Sequence, residues 1–178
     1  GPFIFLIERE KKLGLGTAYI YGFKWGLERD YQYFFEMDAD FSHPPVDLLR
    51  LYKACAEDGA DVAIGSRYVP GGGVVNWPKD RLILSKGASL YTRIITGMPV
   101  MDPTAGFICY ARPVLETLDL DKIRFVGYAF QIGMKYLAYK AGFTLKEVPI
   151  QFVEREFGVS KMHSGIIKEA IIGVLNLR

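Results

Sequence analysis

Two hydrophobic periods alternate along this chain, and their alternation predicts its architecture. Short, nearly continuous apolar runs at residues 3–7, 31–37, 61–65, 105–110 and 144–153 read as buried strands. Between them the apolar residues fall three and four apart, the spacing of a helix face. Residues 18–29 form the first such segment and residues 46–57 the second, striped by Leu48, Leu49, Tyr52 and Cys55. Residues 81–96 and 114–118 follow. Residues 127–141 carry Phe130, Met134, Leu137 and Ala138 at core spacing and stop at Gly142. The last segment, 164–178, sets Ile167, Ala170, Ile171, Val174 and Leu175 against Lys168 and Glu169. Strands alternating with helices predict an α/β domain built on a mainly parallel sheet flanked by helices. Val69-Pro70-Gly71-Gly72-Gly73 reads as a mobile loop.

Length adds one constraint. The 178 residues suit a single domain, 1–178, with room for a substantial core. A first strand at residues 3–7 is unusual, because chain termini normally lie at the surface, so further sequence is expected upstream. The net charge of +2 is too small to argue for a nucleic-acid partner. Cys55 and Cys109 are far apart, each in an apolar segment, and read as buried free thiols. No apolar run is long enough to span a membrane, and no secretion signal is present in these residues.

The candidate chemistry gathers where strands end. The run through Phe35, Glu36 and Met37 stops at Asp38-Ala39-Asp40, followed by Phe41-Ser42-His43-Pro44-Pro45. In open α/β sheets, ligands bind beyond the carboxyl ends of the strands. Two carboxylates one residue apart suit a divalent cation that also holds phosphates. They suit equally well the capping of the helix that follows. Gly14-Leu15-Gly16-Thr17 before a helix reads as a strand-to-helix turn, or as backbone N–H groups presented to a phosphate. Arg67, Arg81 and Arg155 stand singly at strand ends or helix starts, where an anionic ligand or a surface ion pair would each use them. Ser85 and Lys86 share the early turns of the helix that holds Arg81. His43 and His163 have no nucleophile in a triad-like pattern, and His43 reads as a loop residue without a catalytic role.

Six blocks then fall in order: Gly14-Leu15-Gly16-Thr17-Ala18, Met37 to Pro45, Gly65-Ser66-Arg67-Tyr68, Asp102-Pro103-Thr104-Ala105-Gly106-Phe107, Gly127-Tyr128-Ala129-Phe130-Gln131 and Gly158-Val159-Ser160-Lys161-Met162. Together they resemble the polyprenol-phosphate (dolichol-phosphate) mannosyltransferases, a branch of the inverting GT-A glycosyltransferases. The resemblance spans nearly the whole chain. It implies a GT-A, Rossmann-like sheet, a nucleotide-sugar donor (GDP-mannose), a polyprenyl or dolichyl phosphate acceptor, and Mg²⁺ or Mn²⁺. It implies that Asp38 contacts the donor and Asp40 binds the metal, with Asp38 beside it. Arg67, Arg81 and Ser85 then handle the lipid phosphate. Arg155, Ser160 and Lys161 lie in a mobile loop, 154–163, that closes over donor and acceptor. The enzyme would be peripheral on the inner, cytoplasmic face of a membrane, with helix 164–178 lying on that surface or packed on the sheet.

Three departures qualify the resemblance. The family's first βα units, with their Asp-Asp-Gly-Ser block and nucleoside-binding acid, are missing from these residues. Ser42 stands where many relatives have a Gln that helps bind the metal, and Gly133 where many have Glu. The alternatives are a UDP-glucose (or other UDP-sugar) transferase with the same acceptor, an inactive binding or regulatory domain of the same fold, and a generic α/β nucleotidyltransferase.

Overall fold

The computed structural model describes residues 4–11, 13–123, 127–154 and 171–177. Its central sheet has four strands in the order β1-β4-β2-β5: β1 (Tyr33–Glu36), β2 (Val62–Ser66), β4 (Ile108–Ala111) and β5 (Leu145–Pro149). β2 and β5 pair in parallel, whereas β4 runs antiparallel to both β1 and β2. Three strands thus share one direction and β4 opposes them, which refines the mainly parallel sheet expected from the sequence. A second, two-stranded parallel sheet joins β3 (Gly73–Val75) to β6 (Gln151–Val153).

Strand parity divides the core. Phe34, Val62, Ile64, Ile108 and Tyr110 face one side, where α1 (Leu15–Leu27), α4 (Arg112–Thr117) and α5 (Tyr128–Lys140) supply Phe23, Val114, Phe130 and Met134. Ala63, Phe107, Cys109, Val148 and Ile150 face the other, against Leu51, Ala54 and Cys55 of α2 (Asp47–Ala56). A large apolar side chain withdrawn from water this completely contributes about 1.5–3 kcal/mol, so these two layers hold the strand ends in place. Cys55 and Cys109 are buried free thiols, as expected.

Four expectations need correction. Residues 4–7 form no strand: Ile4 and Leu6 are exposed, and Phe5 packs on Trp25 with ring centroids 4.9 Å apart. An apolar run becomes a strand only when a neighbour accepts its hydrogen bonds, and none of the described strands does. The expected single strand at 144–153 is two. Ile150 donates to Ser66 O (3.0 Å) and accepts from Gly73 N (2.9 Å), so the chain leaves one sheet for the other there. The glycine loop is correspondingly shorter: Gly72 N bonds back to Val69 O at 2.9 Å, and Gly73 already belongs to β3. Gly72 has to be glycine, since a Cβ there would lie 2.5 Å from Ser66 O. Finally, α3 (Lys79–Thr96) starts two residues before the expected position, directly after Pro78. Of the segment 164–178, residues 171–175 are helical and 164–170 lie outside the described residues. No helix among the described residues is long and apolar enough to cross a membrane.

Candidate active site

β1 ends at Glu36, and residues 37–46 carry the chain to α2. Asp38 and Asp40 lie half-buried in that turn. Its shape depends on Phe41, which adopts a left-handed backbone (φ 62°) although it is not glycine. Such a conformation costs of order 1 kcal/mol or more and persists where its surroundings enforce it. The enforcing bonds are visible. Ser42 N donates to Asp40 Oδ1 at 3.2 Å, Asp38 N donates to His43 Nδ1 at 3.3 Å, and Val153 N of β6 donates to Ser42 O at 3.2 Å.

His43 is the residue that sequence reasoning set aside. Its ring is 3% exposed, stacked on Phe107 at 4.7 Å and edge-on to Phe152 at 5.2 Å. Accepting a hydrogen bond at Nδ1 requires the neutral Nε2–H tautomer. Burial, with Arg67 assisting and Asp40 opposing, lowers its pKa from 6.5 to about 4. Between those values the unfolded chain holds a proton that the folded one refuses. The resulting stability is fully present above pH 6.5 and is lost as pH falls toward 4, by about 3 kcal/mol in all. His43→Phe keeps the stacking and removes the titration. Urea unfolding at pH 7 and pH 4.5 should therefore show a markedly smaller acid loss in the variant than in the wild type. Equal losses would rule out this role.

Arg67 follows β2 and turns its guanidinium onto Asp102. Nε and Nη2 donate to the two carboxylate oxygens at 2.7 Å each, Nη2 also reaches Thr104 Oγ1 at 2.9 Å, and the Arg67 N–H adds a fourth bond at 3.0 Å. Burial alone would raise the Asp102 carboxyl, but the Arg67 bonds outweigh it and hold its pKa below the ordinary value. The turn bearing Asp102 is itself clamped. Glu147 accepts Met101 N and Asp102 N at 2.8 and 2.9 Å. The buried Lys135 ammonium donates to Pro103 O, Ala105 O and Gln131 O. Burial pushes the Lys135 ammonium down and the neighbouring Glu36 carboxyl up. Gln131 approaches Glu36, yet neither carboxyl oxygen has a hydrogen bond of normal geometry. A carboxyl with a raised pKa in that setting is held largely as the neutral acid.

Arg81 and Ser85 lie in the first two turns of α3. Arg81 sits 3.9 Å over the Trp77 ring and pairs with Glu154, while Ser85 Oγ accepts a 2.7 Å bond from Tyr68. Trp77 also lies 5.4 Å from the Arg67 guanidinium and packs edge-on against Phe152. The structure therefore brings Arg67, Arg81 and Ser85 around Trp77 and Tyr68, and joins that group to the Asp38–Asp40 turn through His43 and Phe152. Arg155, Ser160 and Lys161 lie outside the described residues. Trp77 was not singled out in the sequence, while Asp102 opens one of the six motif blocks and Glu154 the expected loop, neither with a role of its own. For Trp77 the available signal was an aromatic just ahead of a helix that begins with cations.

Among the described residues no group of three or more His, Cys, Asp or Glu could enclose a metal ion. Two carboxylates at a strand end still fit Mg²⁺ or Mn²⁺, which keep waters and share substrate phosphates in place of an all-protein cage. The Ser42 hydroxyl, fully buried in the same turn without a hydrogen-bond partner, adds a third oxygen there.

The chain has known counterparts. The family model described as glycosyl transferase family 2 matches residues 1–119. The chain belongs to glycosyl transferase family 2. Its sheet is that of a GT-A fold. The chain is 52% identical over 171 residues to a polyprenol monophosphomannose synthase of Mycolicibacterium smegmatis, covering 96% of this chain and 64% of that protein. It is 49% identical to an undecaprenyl-phosphate mannosyltransferase of Micrococcus luteus, covering 97% of this chain and 70% of the other. Among solved structures it resembles a glucosyl-3-phosphoglycerate synthase of Mycobacterium tuberculosis in complex with Mn²⁺, UDP and phosphoglyceric acid. That match has a TM-score of 0.68 at 13% identity and covers 93% of this chain and 54% of the other. This family 2 chain thus spans 64% of the length of the M. smegmatis relative and about half of the solved one.

Proposed function

We propose that the intact protein transfers mannose from GDP-mannose to the phosphate of a polyprenyl lipid, with inversion and with Mg²⁺ or Mn²⁺ held by Asp40 and Asp38. The observation that carries this reading is the junction at His43. His43 accepts the Asp38 N–H of an acidic turn suited to a metal diphosphate, and its ring meets Phe152, which packs on Trp77 in an arginine-aromatic group suited to a second phosphate. The two relatives at about half identity, both named as lipid-phosphate mannosyl enzymes, support mannose and the lipid acceptor.

Residues 1–178 act in this reading as one catalytic domain, with 154–163 as the loop over both substrates and 164–178 as a surface helix. The bound cation would supply charge stabilisation for the departing diphosphate. The chain does the rest. His43 holds the Asp38 amide and so fixes the turn, and Asp38 meets the donor. Arg81 and Ser85 receive the acceptor phosphate, and Asp102 holds Arg67 rigidly beside them as a fixed positive charge. Arg155, Ser160 and Lys161 close the site from the loop. A phosphate monoester with a second pKa near 6 is already largely a dianion at neutral pH, so attack on the sugar requires no protein base. This leaves Glu36 and Gly133 without a proton-transfer role. The reaction would take place on the cytoplasmic face of a membrane, where the acceptor's phosphate is accessible.

A donor screen on the intact protein tests the proposal. Radiolabelled GDP-mannose should give a lipid-linked product with polyprenyl phosphate, EDTA should abolish it, and Mn²⁺ should restore it. UDP-glucose should give at most a trace. Absence of product from GDP-mannose, with product from UDP-glucose, would replace the donor assignment.

A further inference from the structure

Two arginine-carboxylate pairs lie beside Trp77, and they differ in how firmly they are held. Arg67 gives Asp102 three hydrogen bonds in a buried fork. Arg81 gives Glu154 one, from Nη1 to Oε2, and these two side chains are 19% and 27% exposed. The other N–H groups of Arg81 have no acceptor among the described residues. Its guanidinium is held from another direction, by stacking 3.9 Å over the Trp77 ring. Glu154 is anchored through its backbone. Its N–H donates to Val75 O at 3.1 Å, and the N–H of Val153 before it donates to Ser42 O, in the acidic turn, at 3.2 Å. The carboxylate can therefore swing off Arg81 without breaking either backbone bond, while Arg81 keeps its place on Trp77. Ser85, one helical turn beyond Arg81, accepts from Tyr68 and still has its own O–H to donate. A stacked arginine with spare donors, a hydroxyl one turn away and one replaceable carboxylate make a phosphate site that already holds an anion.

We propose that Glu154 is an intramolecular counter-anion of the acceptor site. Its carboxylate neutralises Arg81 while the site is empty, yields to the acceptor phosphate, and returns to Arg81 as the lipid product leaves. This deepens the lipid-phosphate reading and rests on it. The chemistry gives the exchange a direction. The acceptor monoester carries nearly two negative charges and can engage a guanidinium with two oxygens, against the single bond made by Glu154. Transfer joins one of the phosphate oxygens to the sugar carbon as the nucleoside diphosphate departs, so the monoester becomes a diester with a single charge. The product is then the weaker anion of the two, and the tethered carboxylate displaces it more readily. Glu154 occupies the same cation whichever anion arrives. It therefore weakens every anion at Arg81 by one common factor, set by the fraction of protein in which Arg81 is open.

Calorimetric titration of the intact protein with a water-soluble, short-chain polyprenyl phosphate, and separately with its mannosylated form, tests the exchange without turnover. Glu154→Gln should bind both about fivefold more tightly than wild type, and by the same factor for each. Asp80→Asn removes the same unit of charge from an exposed acid beside Arg81 in the first turn of α3, and should change either affinity by less than about twofold. Weaker or unchanged binding in Glu154→Gln would overturn the proposal, because Glu154 would then support Arg81 and not compete for it. Unequal factors for the two lipids would overturn it too, as would equal gains in Glu154→Gln and Asp80→Asn, or a wild type that binds neither lipid. Transfer from GDP-mannose to the same short-chain acceptor separates the two readings. A wild type that makes no product, while Glu154→Gln binds both lipids more tightly, would leave the exchange standing and remove the transferase reading. Transfer by the wild type, with the affinities unaltered in Glu154→Gln, would do the reverse.

Discussion

Asp40→Asn is expected to lower sugar transfer by about 10²–10⁴-fold, a loss of several kcal/mol of transition-state stabilisation. The substitution is chosen so that the turn survives. Asp40 Oδ1 accepts the Ser42 N–H, and the amide oxygen of Asn can accept the same bond. The left-handed Phe41 and the His43 bond to Asp38 N should therefore persist, and Tm should move by only a few degrees. What disappears is one negative charge on a hard oxygen ligand. Affinity for Mn²⁺ should fall with it, and raising the Mn²⁺ concentration should recover part of the rate.

The matching substitution at Asp38 should divide the two roles. Asp38→Asn is expected to raise KM for the nucleotide sugar more than it weakens Mn²⁺, because Asp38 is assigned to the donor. Initial rates across a Mn²⁺ series, with kcat and KM resolved for each variant, provide the measurement. An unchanged Mn²⁺ dependence in Asp40→Asn would remove the metal assignment, even if activity fell for another reason.

Much of this framework could be read from period alone. The strands that begin near Tyr33, Val62 and Leu145 lie where continuous apolar runs predict them, and the Asp38–Asp40 turn lies at a strand's carboxyl end. Period does not record direction, so the reversal of β4 was invisible: an apolar run reads alike either way. Nor does period identify a neighbour. Residues 4–7 look like β1 in composition, yet lack a described strand to pair with, and the run at 144–153 divides because Ile150 meets two partners. The same limit applies to α3. Its spacing reveals an apolar face but not whether that face meets the core or the outside. His43 is the loop residue expected, but its burial was not foreseen for a related reason: its neighbours Phe107 and Phe152 are more than sixty residues away, and nothing local signals that a loop histidine is buried.

The interaction hardest to anticipate from the sequence carries the largest expected effect on stability. Arg67 and Asp102 are 35 residues apart, and in the fold their side chains are 9% and 0% exposed and joined as a fork. Asp102→Asn would leave Arg67 buried without its counter-charge, and breaking one partner of such a pair costs about 3–5 kcal/mol. That is a large fraction of the roughly 5–15 kcal/mol by which a domain is stable. Asn retains one oxygen for the Arg67 N–H, but its amide group would point toward guanidinium donors. The pH dependence supplies a sign. The Asp102 carboxyl is held below its ordinary range, so its contribution is present above the unfolded value and is lost as pH falls through the folded one. Urea unfolding at pH 7 should therefore show the full cost of Asp102→Asn, and at low pH the wild type should approach the variant.

The double variant decides what the pair is for. Arg67→Met removes the buried cation and keeps an unbranched side chain among Tyr68, Trp77 and Phe152, which flank the guanidinium at 5.1–5.7 Å. If the fork is one unit, Arg67→Met with Asp102→Asn should be less destabilised than the sum of the single variants, by about 2 kcal/mol or more. Transfer activity should remain low in the double variant even where stability returns, because the fixed positive charge beside Arg81 and Ser85 is gone. A double variant that regained both stability and activity would make the fork purely a support for the 101–105 turn. Arg81 would then remain as the described arginine available to the acceptor phosphate.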